Sequence, residues 1–256
     1  RRALFGDEHP STLKSMTNLG GLLEAIGKYD EAKTLCEQAL AVKRRLFGDD
    51  HPQTIWSNTQ LANVLFAQGK LAEAEQIRRD ALSKQRQLLG NNHTDTLISA
   101  NNLAMVLDEM GRFTEAETYY REALTGFRKV FGEEHPNTLQ TLGNVGFVLN
   151  RQGKPEEAEP YYREALAGFR KAFGTDNQLT LTATGNLAAL LSDLGKTDEA
   201  EPLYYESLEG RRRHLGEDHP STLNATYNMG YFLRSKGKLA EAEPLCQRAL
   251  ATRERA

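Results

Sequence analysis

The sequence contains little cysteine, no long apolar run and no excess of one charge. Its 256 residues include two cysteines, which excludes a disulfide scaffold and favours a reducing, cytoplasmic location. The longest uninterrupted apolar run has five residues, too few to span a bilayer, so no membrane partner is expected. Lysine and arginine total 32 against 35 aspartate and glutamate, a net charge of -3 that argues against nucleic acid as the partner.

Glycine recurs at two positions of a 42-residue period, and alanine and leucine keep the same phase. A fixed period of this length indicates a repeat architecture. We therefore expect one repeat domain over residues 1–256, cut from a longer protein, in which residues 1–5 end a preceding helix. The predicted copies are about 6–47, 48–89, 90–131, 132–173, 174–215 and 216–256.

Each copy predicts two helices separated by glycine. In the first copy, Pro10 suits the first helical turn, and Gly27 suits the left-handed position that ends a helix. The second helix is expected from about Tyr29 to Leu46, and no segment alternates with the period of a strand. The apolar stripe of the first helix is predicted to consist of Leu13, Leu19, Leu22, Leu23 and Ile26.

The segment from Asn18 to Ala32, with its Gly-Lys-Tyr-Asp-Glu-Ala turn, resembles the tetratricopeptide repeat. The usual repeat of that family has ~34 residues. The longer period here, with Phe-Gly-Asp-Asp-His-Pro-Gln-Thr-Ile at 47–55 and Glu-Ala-Glu-Pro-Leu-Tyr at 199–204, is similar to the kinesin light chain subclass. The resemblance covers all six copies. It implies an all-α, right-handed superhelical solenoid of six helix-turn-helix repeats with a concave groove.

An amide side chain recurs inside the first helix of every copy, although amides are mediocre helix formers. The resemblance implies that first helices line the groove and that amides at this position bind the backbone of an extended peptide. An amide has both a donor and an acceptor, so it can bind a peptide bond whatever the peptide's sequence. The alternative is that these amides hold adjacent repeats together. The series is Asn18, Gln60, Asn102, Asn144, Asn186 and Asn228.

Helical spacing predicts which other side chains line the groove. Trp56 is the only tryptophan and departs from the residues at its position in the other copies. Exposed aromatic and apolar side chains are the usual anchors of a binding surface. The alternative is that some of them pack between helices. Basic and acidic residues predicted on this face nearly cancel, so no preference for an acidic partner is expected. The further groove candidates are Asn63, Ile98, Asn101, Met105, Phe147, Arg151, Tyr227 and Tyr231.

The sequence predicts no metal, no cofactor and no catalytic residue. Five histidines share one repeat position at the start of the first helix, but helix pairs stack too far apart for successive histidines to share an ion. Cys36 and Cys246 occupy one buried position at opposite ends of the chain and cannot form a disulfide. The histidines, interpreted as helix-start residues, are His9, His51, His93, His135 and His219.

These patterns predict a non-enzymatic module that binds an extended peptide or partner segment in its groove. One alternative is a regulatory or substrate-recruiting region of an enzyme whose catalytic domain lies outside this segment. Another is a ligand-free scaffold or engineered repeat array. We expect a monomer or weak end-to-end self-association, because the terminal helices would expose Leu4, Phe5 and Leu250.

Overall fold

The computed structural model describes Gly6 and residues 8–253, the side chains of residues 249–253 excepted. Within these residues the chain forms twelve α-helices and no strand. They are α1 Pro10–Ala25, α2 Tyr29–Phe47, α3 Pro52–Ala67, α4 Leu71–Leu89, α5 Thr94–Glu109, α6 Phe113–Phe131, α7 Pro136–Arg151, α8 Pro155–Phe173, α9 Gln178–Asp193, α10 Thr197–Leu215, α11 Pro220–Ser235 and α12 Leu239–Arg253. Each predicted copy contains one first helix (odd number) and one second helix (even number).

The chain divides into two compact units, Arg1–Gly126 and Phe127–Ala256. In the first unit, each helix from α1 to α4 packs against the next helix along the chain, and α1 also contacts α3. In the second unit, α7 to α12 pack in the same way, and α9 also contacts α11. The first helices of successive copies therefore lie side by side within a unit, and their exposed surfaces adjoin.

The predicted helix ends are confirmed, and histidine begins the first helices. Gly27 adopts φ 78°, a backbone conformation that favours glycine and ends α1. At the other end of α1, His9 has an extended backbone, and its Nδ1 accepts a hydrogen bond from the backbone N–H of Ser11 at 3.1 Å. Asn177 takes this role in the fifth copy. The other histidines that cap a helix in this way are His51, His93, His135 and His219.

The core of each helix pair is built around an alanine that is fully buried in five copies. Small residues on the facing helix let the two backbones approach closely: a Cβ added to Gly20 would lie 2.6 Å from Cys36 Sγ. Close packing of this kind leaves no room for a larger side chain. The alanines are Ala32, Ala74, Ala116, Ala158 and Ala200, with Ala242 at 3% exposure in the last copy.

The predicted apolar stripe of α1 is partly wrong. Leu13 is buried, but Leu19, Leu22 and Ile26 are exposed by 48%, 65% and 68%. In the second copy, the positions of Leu19 and Leu22 belong to a core cluster shared with α2. In the second copy these two positions, Leu61 and Val64, pack against residues of α2, which belongs to the first copy. The structure describes no helix pair before α1 that could cover Leu19 and Leu22 in the same way. The predicted helical turn at residues 1–5 and the predicted exposure of Leu4, Phe5 and Leu250 lie outside the described residues.

Ion pairs join the second helices of successive copies, which the sequence analysis did not predict. In the first unit, Arg79 of α4 binds Glu75 at 2.9 Å and also Glu115 of α6. In the second unit, Arg163 of α8 binds both Glu159 and Glu199 of α10 at 2.7 Å. These pairs lie on second helices, away from the predicted groove residues.

Candidate functional site: clefts between first helices

The groove candidates lie on exposed surfaces of the first helices, which we call the groove face. Six of the predicted apolar or aromatic side chains are 36% to 55% exposed, so they are not simply packed between helices. Exposed apolar side chains that adjoin one another, as Trp56 and Ile98 do in one cleft, mark interaction surfaces. They are Trp56, Ile98 and Met105 in the first unit, and Phe147, Tyr227 and Tyr231 in the second.

In the first unit, a cleft opens between α3 and α5, and we call it the polar cleft. Trp56 and Ile98 line it, together with the amide side chains of Gln60, Asn63 and Asn102. These five residues were all predicted to belong to the groove. The second helix α4 closes the cleft from below with residues that the sequence analysis did not include, namely Gln85, Leu88 and Leu89.

A buried arginine supports the polar cleft. Arg78 of α4 is 5% exposed, and it donates hydrogen bonds to the Asn63 side chain at 3.0 Å and to the backbone carbonyl of Asn102. Its guanidinium also lies 5.2 Å from the centre of the Phe66 ring. Burial lowers the pKa of Arg78 to about 10. Because the side-chain oxygen of Asn63 accepts a hydrogen bond from Arg78, this amide is held in place. Asn63 therefore has a structural role and also lines the cleft.

A second cleft of the first unit, the N-terminal cleft, lies between α1, α2 and α3. Lys14 and Trp56 line it, and Lys43 of α2 forms its floor. Lys43 is only 3% exposed, and its Nζ donates to Ser57 Oγ at 2.7 Å and lies 5.1 Å from the centre of the Trp56 ring. Burial lowers the pKa of Lys43. Trp56 therefore separates two clefts, one on each side of α3.

In the second unit, a cleft between α7 and α9 is floored by aromatic rings, and we call it the aromatic cleft. Phe147 lines it, with the amides Asn144 and Asn186. Tyr162 and Phe169 of α8 form its floor and are 4% and 5% exposed. The apolar floor and polar amides together suit a segment that offers an apolar side chain and a peptide backbone.

The remaining predicted residues are also on first helices. Arg151 extends over the Phe147 ring, 5.8 Å from its centre, so the charge and the ring form one surface. The Asn101 amide nitrogen lies 4.0 Å from the sulfur of Met105, which pairs these two groove residues. At Tyr231, the guanidinium of Arg234 is 5.2 Å from the ring centre. Aromatic rings with an adjacent cation thus recur on the groove face.

The amide series is polar surface with few internal partners. Among the described residues, no hydrogen bond joins the side chain of Gln60, Asn102 or Asn186 to the rest of the protein. The side chains of Asn18 and Asn228 are exposed and likewise form no hydrogen bond with another described residue. Asn144 does have an internal contact. Amides that held adjacent repeats together would show such bonds.

The residues that form the cleft floors were not predicted from the sequence. The predicted groove residues lie on first helices, whereas Lys43, Gln85 and Phe169 come from one repeat position of the second helices. The signal was present: this position changes from lysine to glutamine to phenylalanine, while the alanine four residues earlier is unchanged in the first four copies.

Residues with possible chemistry lie outside these clefts. No group of three histidine, cysteine or acidic side chains within the described part of the chain is arranged to hold a metal ion. Cys36 is buried and Cys246 is half-buried, and both are free thiols. Burial raises the pKa of Cys36, which keeps it a neutral thiol. Over the same described residues, no helix has the length and apolarity to cross a membrane.

Comparison with solved structures identifies similar folds. The structure is similar to kinesin light chain-like repeats of Podosopora anserina, with 24% identity over 80% of this chain and 97% of that chain, and a TM-score of 0.70. BtubC (BKLC) of P. vanneervenii is 24% identical over 88% of this chain and 91% of that chain, with a TM-score of 0.73. NprR, solved with its cognate peptide NprX, is 15% identical over 95% of this chain and 67% of that chain, with a TM-score of 0.67.

Family comparison covers most of the sequence. No curated protein sequence matches this chain significantly. The tetratricopeptide repeat model matches residues 16–83, 56–129, 95–171, 139–213 and 179–255. These overlapping matches confirm the predicted all-α repeat fold, and the solved structures confirm the likeness to kinesin light chain repeats. The chain belongs to the tetratricopeptide repeat family.

Proposed function

We propose that this chain is a protein-interaction module that binds an extended peptide or partner segment along the clefts of its groove face. The observation that carries the proposal is that exposed apolar side chains and amide side chains line the same clefts. In the polar cleft, Trp56 and Ile98 stand beside Gln60 and Asn102. Apolar anchors supply affinity, and amides satisfy the donors and acceptors of a backbone that would otherwise lose water.

Two similar folds support binding of a peptide in particular. NprR was solved with the peptide NprX, and the Rap conjugation gene regulator of plasmid pLS20 was solved with the Phr* peptide. The latter is 16% identical over 92% of this chain, with a TM-score of 0.66. In the first unit the N-terminal and polar clefts meet at Trp56, so one extended segment can present side chains to both.

The proposal treats the chain as a binding module rather than an enzyme. Burial lowers the pKa of Arg78, ion pairs within the fold lower that of Glu115, and no nucleophile is paired with a base in the clefts described above. A regulatory region of a larger enzyme would use the same groove to recruit its partner. A ligand-free scaffold is less consistent with clefts whose linings differ from copy to copy.

The proposal can be tested with displayed random 12-residue peptides selected on the chain, followed by affinity measurement of an enriched peptide. We expect Trp56→Ala to weaken binding about 30-fold, since a buried anchor contributes ~2 kcal/mol. Tyr205→Ala is the matched control, because this ring on α10 is exposed by 43% compared with 42% for Trp56. It should change affinity less than twofold. Failure to enrich any peptide, or equal losses in both variants, would contradict the proposal.

A further inference from the structure

The floor of each cleft is supplied by one recurring position of the second helices. Lys43 floors the N-terminal cleft, Gln85 the polar cleft and Phe169 the aromatic cleft. The equivalent Arg211 of α10 reaches both neighbouring first helices, donating to Thr182 Oγ1 at 3.1 Å and to the backbone carbonyl of Ser221 at 3.2 Å. Four copies therefore place a second-helix side chain between two first helices, and its chemistry differs each time.

The residue at this position differs between copies, as a residue that determines specificity must. The amides above it recur in every copy and offer the same donor and acceptor each time. A side chain of a bound segment that enters a cleft meets the floor last, after it has lost most of its water. A mismatch there leaves a buried polar group unpaired or buries an uncompensated charge, and both are costly.

Among the floor residues, Lys43 gives the clearest indication of which ligand side chain its cleft would bind. Its ammonium has three donors, yet its one hydrogen bond within the described residues is to Ser57 Oγ, and no carboxylate of those residues pairs with it. The other lysine of this cleft, Lys14, is exposed at the rim and adds a second positive charge. Arg78, another buried cation, donates to two oxygens, those of the Asn63 side chain and the Asn102 backbone, whereas Lys43 donates to one. The N-terminal cleft thus has a positive charge without a counter-charge.

We infer that this second-helix position determines which side chain of a bound segment each cleft admits, and that the N-terminal cleft takes an aspartate or glutamate side chain against Lys43. The inference rests on the proposed peptide binding. A carboxylate would accept a charge-assisted hydrogen bond from Nζ, which is stronger than the bond to a neutral hydroxyl. The charge count of the first helices did not predict this preference, because Lys43 lies on α2.

The aromatic cleft makes the opposite demand. At the floor itself Phe169 offers no donor, so an acidic side chain that reached it would lose hydration against an apolar ring, where the N-terminal cleft has the ammonium of Lys43. This cleft is expected to admit an apolar side chain. The same position in two copies therefore predicts two different residue preferences, which a single selection can compare.

The test is selection of the displayed 12-residue peptides on the wild-type chain and on Lys43→Gln, the residue that the next copy carries at this position. The wild type should enrich aspartate or glutamate at one peptide position at least fivefold over the starting pool, and Lys43→Gln should abolish this enrichment. Lys43→Met serves as a second variant. The methionine side chain is unbranched and close in length to lysine, it carries no charge, and it suits a buried site. Circular dichroism confirms that each variant is folded.

A selected peptide then gives a quantitative comparison. Replacing its acidic residue by the amide should weaken binding to the wild type about tenfold and to Lys43→Gln less than twofold. Lys129→Met, at an exposed lysine of α6, is the control and should keep the tenfold difference. Enrichment of peptides without an acidic preference, or an acidic preference that survives both Lys43 variants, would overturn this inference alone. Absence of any enriched peptide would overturn the proposed function together with it.

Discussion

The polar cleft of the first unit and the aromatic cleft of the second occupy equivalent places between first helices but differ at matched positions. Where the polar cleft has Thr59 and Gln85, the aromatic cleft has Gly143 and Phe169. A Cβ added to Gly143 would meet no atom within 4 Å, so the cleft is open at this position. The comparison shows that a constant helical framework can present different binding chemistry through a few side chains.

The difference also changes how each cleft is held together. In the polar cleft, Arg78 beneath the surface is fixed by hydrogen bonds to Asn63 and Asn102. In the aromatic cleft, the equivalent residue is Tyr162, and Phe169 lies 6.2 Å from Phe173 between ring centres. Directional bonds therefore support one floor and apolar packing supports the other, and the two should respond differently to substitution.

The largest expected effect separates the two floors. Phe169→Ala should lower the free energy of unfolding by ~3–5 kcal/mol, because a nearly buried ring leaves a cavity. Gln85→Ala, at the matched position of the first unit, should cost less than ~1 kcal/mol, because Gln85 is half-buried and its side-chain oxygen is buried with no hydrogen-bond partner among the described residues. Urea unfolding measures both losses. Similar losses at the two positions would show that the floors do not differ as described.

A smaller effect should be equal in the two units, because their helix-pair cores are built alike. Ala116 and Ala200 are both fully buried at one repeat position. Replacement of either by leucine should destabilise the protein by ~1–3 kcal/mol through overpacking. Thermal unfolding of Ala116→Leu and Ala200→Leu provides the measurement. An unchanged melting temperature in either variant would contradict the assignment of that alanine to a close helix contact.

The smallest effect concerns the ion pairs of the second helices, which are matched in the two units. Arg79→Gln and Arg163→Gln should each lower stability by ~0.5–1 kcal/mol, since these groups are partly exposed. A hydrogen bond from Arg79 lowers the pKa of Glu115, and hydrogen bonds from Lys196 and then Arg163 lower that of Glu159.

The pH dependence of this effect follows from the direction of those shifts. A carboxyl group whose folded-state pKa is lowered stabilises the protein above its unfolded pKa of ~4.3, and this contribution is lost as the pH falls through the lowered value. The difference between wild type and variant should therefore be largest at neutral pH and disappear in acid. Chemical denaturation across this range measures it, and a difference that grows in acid would contradict the ion-pair assignment.

Much of the fold was predictable because the period repeats the same local signals. Proline at the start and glycine at the end bound α1 within one residue of its predicted limit, and α2 ends at Phe47 instead of Leu46. Periodicity gives the face of a helix, but it does not show which of the described helices cover that face. That is why Leu19 was expected in the core and is exposed.

The walls of the clefts were predictable, whereas their floors were not. Trp56 and Phe147 follow from helical spacing on the first helices, and both are exposed there. Lys43 and Gln85 are polar residues of the second helices, and composition alone would place them in solvent. Only the packing of α2 and α4 beneath two first helices shows that these side chains reach the clefts.

The central claim, that groove amides bind a peptide backbone, is tested most directly by changing Gln60 and Asn102, which both line the polar cleft, together to alanine. Each lost hydrogen bond should cost ~0.5–1.5 kcal/mol, so affinity for a selected peptide should fall about tenfold. Helicity and melting temperature should stay within error of the wild type, as should those of the control Gln87→Ala at an exposed amide of α4. A double variant that unfolds, or one that binds the peptide as tightly as the wild type, would contradict the account.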